Sequence, residues 1–295
     1  MESKIGFTST IPQEIIWASG NIPVDLNNIF INSIDPQKYS DFAEQRGYPR
    51  NICGWIKGIY GLLLKNKNIK TIIGVFEGDC SNTKALLETL EKTKKNINLI
   101  PFSYPHYPNK KELKESIGKL MKNFGVKIEK AEKARKKLYI IRKKLKEIDE
   151  LTYIDNKAAG FENHYYLVSS SDMRGDYKKF EKDIDKFLEK ARKRKPFKEK
   201  IRIGYLGVPP IYPEIYSYLE SRGGRVVYNE IQRQFAMYEN AGNIYEQYLH
   251  YTYPYHIQGR LDDIKKQIKL RKIDALIHYV QSFCHRQIED LIVKK

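Results

Sequence analysis

"NIKTIIGVFEGDCSNTKALLETLEK", residues 68–92, carries the pattern that decides the fold. "TIIGVF" is an apolar, β-branched run of strand length, "EGDCSN" is a Gly-containing turn, and "TKALLETLEK" repeats its leucines at helical spacing. Strand, turn and helix in that order make half of a parallel βαβ unit. The order recurs upstream and downstream. "STIPQEIIWASGNIPVDLNNIF" reads as a loop, a short helix stopped at Gly20, and a strand. "KIRIGYLGVPP", "IYPEIYSYLESRGG" and "RVVYNEI" read as strand, helix, strand. "RLDDIKKQIKLRKIDALIHYVQSFCHRQIEDLIV" reads as helix, strand, turn, helix.

Strands alternating with helices in both halves predict an α/β protein with two doubly wound domains and parallel sheets. A chain of 295 residues has room for both. We divide it into an N-terminal α/β domain at 1–108, a helical connecting region at 109–197 and a C-terminal α/β domain at 198–295. The connecting region has a long helical stretch from about Lys110 to Glu150. Residues 156–176, with "SSSDMRGD", read as loop, and "YKKFEKDIDKFLEKARKRK" as another amphipathic helix.

Hydrophobic residues at 41% and charged residues at 30% fit a soluble globular chain. No apolar run reaches the roughly 18–20 residues of a membrane span. The N-terminus lacks the pattern of a secretory signal, so the expected location is cytoplasmic. The net charge of +17 comes mostly from Lys-rich stretches. Such stretches are solvated helix faces, or a surface for a polyanionic partner. No zinc-finger, RNP or helix-turn-helix pattern is present, so nucleic acid is not the leading expectation, and a basic nucleic-acid-binding α/β protein with structural cysteines stands as an alternative reading.

The three cysteines share one setting: Cys53, Cys80 and Cys284 each sit in a turn before a helix-like run. Their odd number and wide separation argue against a disulfide framework. An isolated cysteine is commonly a small buried hydrophobe. Against that, ligands of parallel sheets gather beyond the carboxyl ends of strands, where Cys80 and Cys284 fall. A helix N-terminus also favours the thiolate, the metal-binding form. Structural zinc normally takes four ligands with close pairs, which are absent. A thiol nucleophile needs a base, and the adjacency of His285 to Cys284 in sequence is a weak pointer. Iron–sulfur clusters ordinarily take four thiolates; three would leave one iron open.

Several segments together resemble the D-component (dehydratase subunit) family of 2-hydroxyacyl-CoA dehydratases, related to benzoyl-CoA reductase subunits and double-cubane cluster proteins. They are "GFTSTIPQEIIWASGNIPVDL", "RNICGWIKG", "FEGDCSNTKAL", "KIRIGYLGVPPIYPEIYSYLESRGGRVVYNEI" and "IDALIHYVQSFCHRQIEDLI". They follow the family's order over nearly the whole chain. The resemblance implies an oxygen-sensitive 4Fe-4S cluster in the interdomain cleft, held by Cys53, Cys80 and Cys284. It implies an acyl-CoA substrate dehydrated through a ketyl radical, and an ATP-dependent iron–sulfur activator protein that delivers one electron. It also implies a homodimer, or a heterodimer with a related subunit. Relatives with a double-cubane 8Fe-9S cluster reduce small molecules instead, and three cysteines per chain suit that arrangement too.

Other candidates follow from position. Ser9 and Thr10, with Glu14 in the first turn of the next helix, are either capping groups or neighbours of the substrate. We take Ser9, Glu14 and His285 as candidate catalytic residues. Trp17 and Trp55 are core residues or shields for a cluster. Arg174 and Arg260 are candidate phosphate contacts. The tyrosine-rich "YEQYLHYTYPYHIQGR" is read as packing.

Overall fold

In a computed structural model, residues 2–94 and 96–295 are described. Seven strands form two parallel sheets. The first holds β1 (Lys4–Phe7), β2 (Ile22–Asp25), β3 (Thr71–Glu77) and β4 (Asn98–Ser103) in the order β2-β1-β3-β4. The second holds β5 (Ile201–Gly207), β6 (Gly224–Asn229) and β7 (Ala275–Tyr279) in the order β6-β5-β7.

The alternation of side chains along β3 shows why the first sheet is covered on both faces. Ile73 and Val75 enter one core with Ile5, Phe7 and Phe102, which the helix Gln13–Ala18 covers through Ile15 and Ile16. Ile72 enters the opposite core with Leu86 and Leu90 of the helix Ser81–Thr93 and Ile59 and Leu63 of the helix Gly54–Lys65. The second sheet is built alike. Tyr216 of the helix Glu214–Ser221 packs with Ile203 and Tyr205, while Ile264 of the helix Ile257–Arg271 packs with Leu206 and Tyr228.

Between the sheets lies a helical layer. The expected helical stretch after Lys110 is two helices, Lys110–Asn123 and Ile128–Tyr153, separated at Gly125, whose φ of +61° ends the first. The expected loop at 156–176 holds instead the helix Gly160–Val168 and two short 3₁₀ turns. Its sequence shows no long apolar repeat. Its start is fixed by the Ala159 amide donating to the Glu162 carboxylate at 2.8 Å. Leu138, Ile141 and Leu145 pack against Phe180, Ile184 and Leu188 of the helix Tyr177–Arg192. The Lys-rich residues of both helices are thereby left on their outer faces.

A segment from late in the chain completes the first core. Ile244, Tyr248, Tyr251 and Tyr255 pack among the side chains of β1, β3 and β4. Nearby, Glu14 is fully buried. It pairs with Arg142 at 2.7 Å and accepts from Gln247 Nε2 and the Tyr248 hydroxyl, both at 2.8 Å. A second buried pair, Asp149 with Arg271, ties the long helix to the second sheet and also accepts from Tyr238 and Asn163. Among the described residues no helix is long and apolar enough to cross a membrane.

Candidate active-site cleft

In the first sheet the chain leaves β1 toward β2 on one side and β3 toward β4 on the other; in the second it leaves β5 toward β6 on one side and then crosses to β7 on the other. The crevice at such a reversal, outside the carboxyl ends, is where ligands of open parallel sheets bind. In the first sheet it lies between β1, followed by Thr8–Thr10, and β3, followed by Gly78–Cys80. In the second it lies between β5, followed by Val208 and Pro209, and β7, followed by the turn to Cys284. All four loops line one cavity of about 120 Å3, part of it open to solvent. Cys53, Cys80 and Cys284 all stand in its wall.

Local structure sets each thiol. Gly78 has a φ of +93°, and a Cβ there would come within 2.9 Å of both Tyr104 and Pro254 side chains. Only glycine makes this turn without strain. It delivers Asp79, whose carboxylate accepts from the Cys80 amide at 2.8 Å, and Cys80 Sγ sits 3.4 Å from Thr83 Oγ1. Cys53 is buried at the N-cap of the helix Gly54–Lys65. Cys284 follows Phe283, which has a φ of +64°, just before the helix Arg286–Val293.

Two of the thiols, Cys80 and Cys284, are raised rather than acidified, contrary to the helix-terminus expectation. Burial, with Asp79 adding to it, pushes Cys80 up to about 11. Burial likewise raises Cys284. Loss of hydration outweighs the partial charge of a helix end. Burial also raises Asp79 to about 6.

Among the described residues, no three Cys, His, Asp or Glu side chains gather tightly enough for one metal ion. Three thiols spaced around a cavity are a donor set for a multi-iron cluster, whose ligands bind separate irons. The rest of the wall suits that use. Trp55, Ile56, Ile59, Ile231 and Phe235 restrict water, while Ser9, Asn27 and Asn28 supply hydrogen-bonding groups.

The other expected residues divide. Ser9 lines the cavity, and His285 stands exposed at its rim. The helix after the β1 loop has Pro12 at its N-cap and no side-chain cap, so neither Ser9 nor Thr10 caps it. Glu14 is not brought to the cavity, being occupied by Arg142, Gln247 and Tyr248. Trp55 lines the cavity and donates to Asn27, whereas Trp17 packs beside the helical layer. Arg174 pairs with Asp183, and Arg260 with Glu230 and Glu289, so both guanidinium groups are already engaged.

Two acidic residues had no reading in the sequence. Asp25, at the end of β2, lines the cavity and accepts from the Asn27 amide at 2.9 Å. Its own amide donates to Asp172 Oδ2 at 2.9 Å. Both carboxyls are buried, and neither has an ion-pair partner among the described residues. Burial raises both, and Asp172 reaches about 7, with the charge of Asp25 adding to the effect. "VDLNN" gives the only signal, an Asp at a strand end in capping position.

Parallel α/β sheets whose reversal points face one three-cysteine cavity define a class of ligand-binding α/β protein, without naming its reaction. The chain belongs to the family described as 2-hydroxyglutaryl-CoA dehydratase, D-component, whose model matches residues 8–295. A comparison with curated proteins finds no match.

Proposed function

We propose that this chain is the cluster-bearing component of an enzyme that dehydrates a 2-hydroxyacyl-CoA. One observation carries the reading: all three cysteines, from three distant loops, line a single cavity at the reversal points of both sheets. Cys53, Cys80 and Cys284 would hold a 4Fe-4S cluster. When bound, such a cluster supplies an iron with an open position, a Lewis acid for a substrate oxygen, and a store for one electron.

The chain's own residues bind, orient and exclude water. Asn27, Asn28 and the Ser9 hydroxyl supply polar contacts to a bound thioester, and the aliphatic wall keeps the site dry. His285, at the rim, is placed to exchange a proton between the cleft and solvent. Glu14 has a structural part in this reading, as a latch between the first sheet and the helical layer. An ATP-dependent iron–sulfur activator supplies the electron. A second copy of this chain, or a related subunit, covers the last helix, where Ile288, Leu291 and Ile292 form an exposed apolar face at helical spacing.

Anaerobic reconstitution, with iron and acid-labile sulfide counted per chain, tests the reading. About four of each are expected, falling on Cys→Ser change at any of the three positions. Additional sulfide with coupled spectra would point to the double-cubane arrangement and a small-molecule reductase. A well-folded chain that takes up no iron would sink the cluster altogether.

A further inference from the structure

The composition of the cavity wall selects among acyl groups. The chain has 53 lysines and arginines, yet none is among the 22 residues that line this cavity. The nearby guanidinium groups are turned to other partners. Arg174 pairs with Asp183, and Arg286, in an adjoining polar cleft that shares Asp79, Tyr253 and His285 with this cavity, is paired with Glu289. The one nitrogen base of the wall, His285, is exposed at the rim beside Cys284. The charged side chains in the wall are carboxylic, Asp25 and Asp79. The remainder is dominated by Ile31, Ile56, Ile59, Val168, Ile231 and Phe235.

A carboxylate at the far end of an acyl chain would lose its hydration here and find no cation in the wall, with Arg286 beyond it already paired to Glu289. An alkyl tail would exchange water for aliphatic contacts. Resting on the dehydratase reading above, we infer that the substrate of this chain is a 2-hydroxyacyl thioester with an uncharged, apolar tail. A tail ending in a second carboxylate, as in the glutaryl group of the family's description, is rejected.

The test is direct binding, by calorimetry on the full-length protein under anaerobic conditions, of two pantetheine thioesters of equal carbon count. One carries 2-hydroxyhexanoate and the other 2-hydroxyadipate. The hexanoyl compound is expected to bind at least about tenfold more tightly. Val168→Lys and, separately, Ile31→Lys each place a cation in the wall and are expected to narrow or reverse that ratio. Circular dichroism identifies a variant that has not folded. Equal binding of the two thioesters, or preference for the adipoyl one, by the unmodified chain would overturn the inference and leave the dehydratase reading standing. Failure of both to bind would overturn the dehydratase reading together with the inference.

Discussion

Glu14 offers a sharp test, because its placement opposes a catalytic role. The perturbation is Glu14→Gln, which keeps the shape and one acceptor but removes the charge. Arg142 is almost wholly buried, and its Nε and Nη2 have no hydrogen-bond partner among the described residues. The compensation of its charge therefore rests on Glu14, 2.7 Å away, with Gln247 Oε1 accepting from Nη1 at the same distance. Removing one member of a buried pair costs about 3–5 kcal/mol. Glutamine still offers a carbonyl to Arg142 and Gln247. Tyr248 also donates to the Ile11 carbonyl at 2.9 Å, so its hydroxyl can accept from the new amide. The expected loss is thus about 2–4 kcal/mol at neutral pH. Arg142→Gln should lose a similar amount. The double variant should lose about 1 kcal/mol or more less than the sum of the two.

Urea unfolding followed by circular dichroism and tryptophan fluorescence reads these values. pH supplies a second axis. Burial alone would raise Glu14, but Arg142, Gln247 and Tyr248 outweigh it and hold its pKa below the ordinary 4.5. The stabilisation is therefore present above pH 4.5 and is lost as pH falls through the lower folded-state value. The gap between wild type and Glu14→Gln should narrow on acidification. A Glu14→Gln protein that unfolds like wild type at pH 7 but has lost its turnover would refute the latch and restore Glu14 to the chemistry.

Asp25→Asn makes the opposite prediction. Carboxyls raised by burial and mutual repulsion cost stability as pH climbs above their unfolded values, in full above about 7, where Asp172 titrates. The variant should gain about 1–3 kcal/mol over wild type at pH 8, with the gain shrinking toward pH 4; urea melts at both ends of the range decide it, and a constant difference would count against raised carboxyls. At the last helix, Ile288→Asp with Leu291→Asp should shift the assembly toward monomer in light scattering. An unchanged mass would remove that helix from the interface.

The sequence disclosed what depends on local pattern. Apolar runs marked β3, β5, β6 and β7, and glycines marked the turns after β3 and β5, so Cys80 and Cys284 could be set beyond strand ends. Cys53 could be set before a helix for the same reason. The meeting of the three in one cavity was expected only through family resemblance, because no local rule brings residues 53 and 284 together. Glu14 read from the sequence as a first-turn acid and a candidate catalytic residue. Its partners, at 142, 247 and 248, lie more than a hundred residues away. The Asp25–Asp172 contact was hidden for the same reason. The thiols misled in another way: the helix ends were legible, but the desolvation that raises Cys80 and Cys284 exists only once the cleft has closed.

The insertion of residues 244–255 into the core of β1, β3 and β4 has a consequence for synthesis. A nascent chain extends N-terminus first, and its early domains ordinarily settle while later ones are still being made. Here the helices Gln13–Ala18 and Lys110–Asn123 cover one face of the first sheet only in part, and its core stays incomplete until Tyr248, Tyr251 and Tyr255 have left the ribosome. The loops that carry Ser9 and Cys80 thus reach their final setting only after residues 244–255 have been made. The cysteine cleft is complete only once Cys284 has followed them, so any loading of it must wait for that residue.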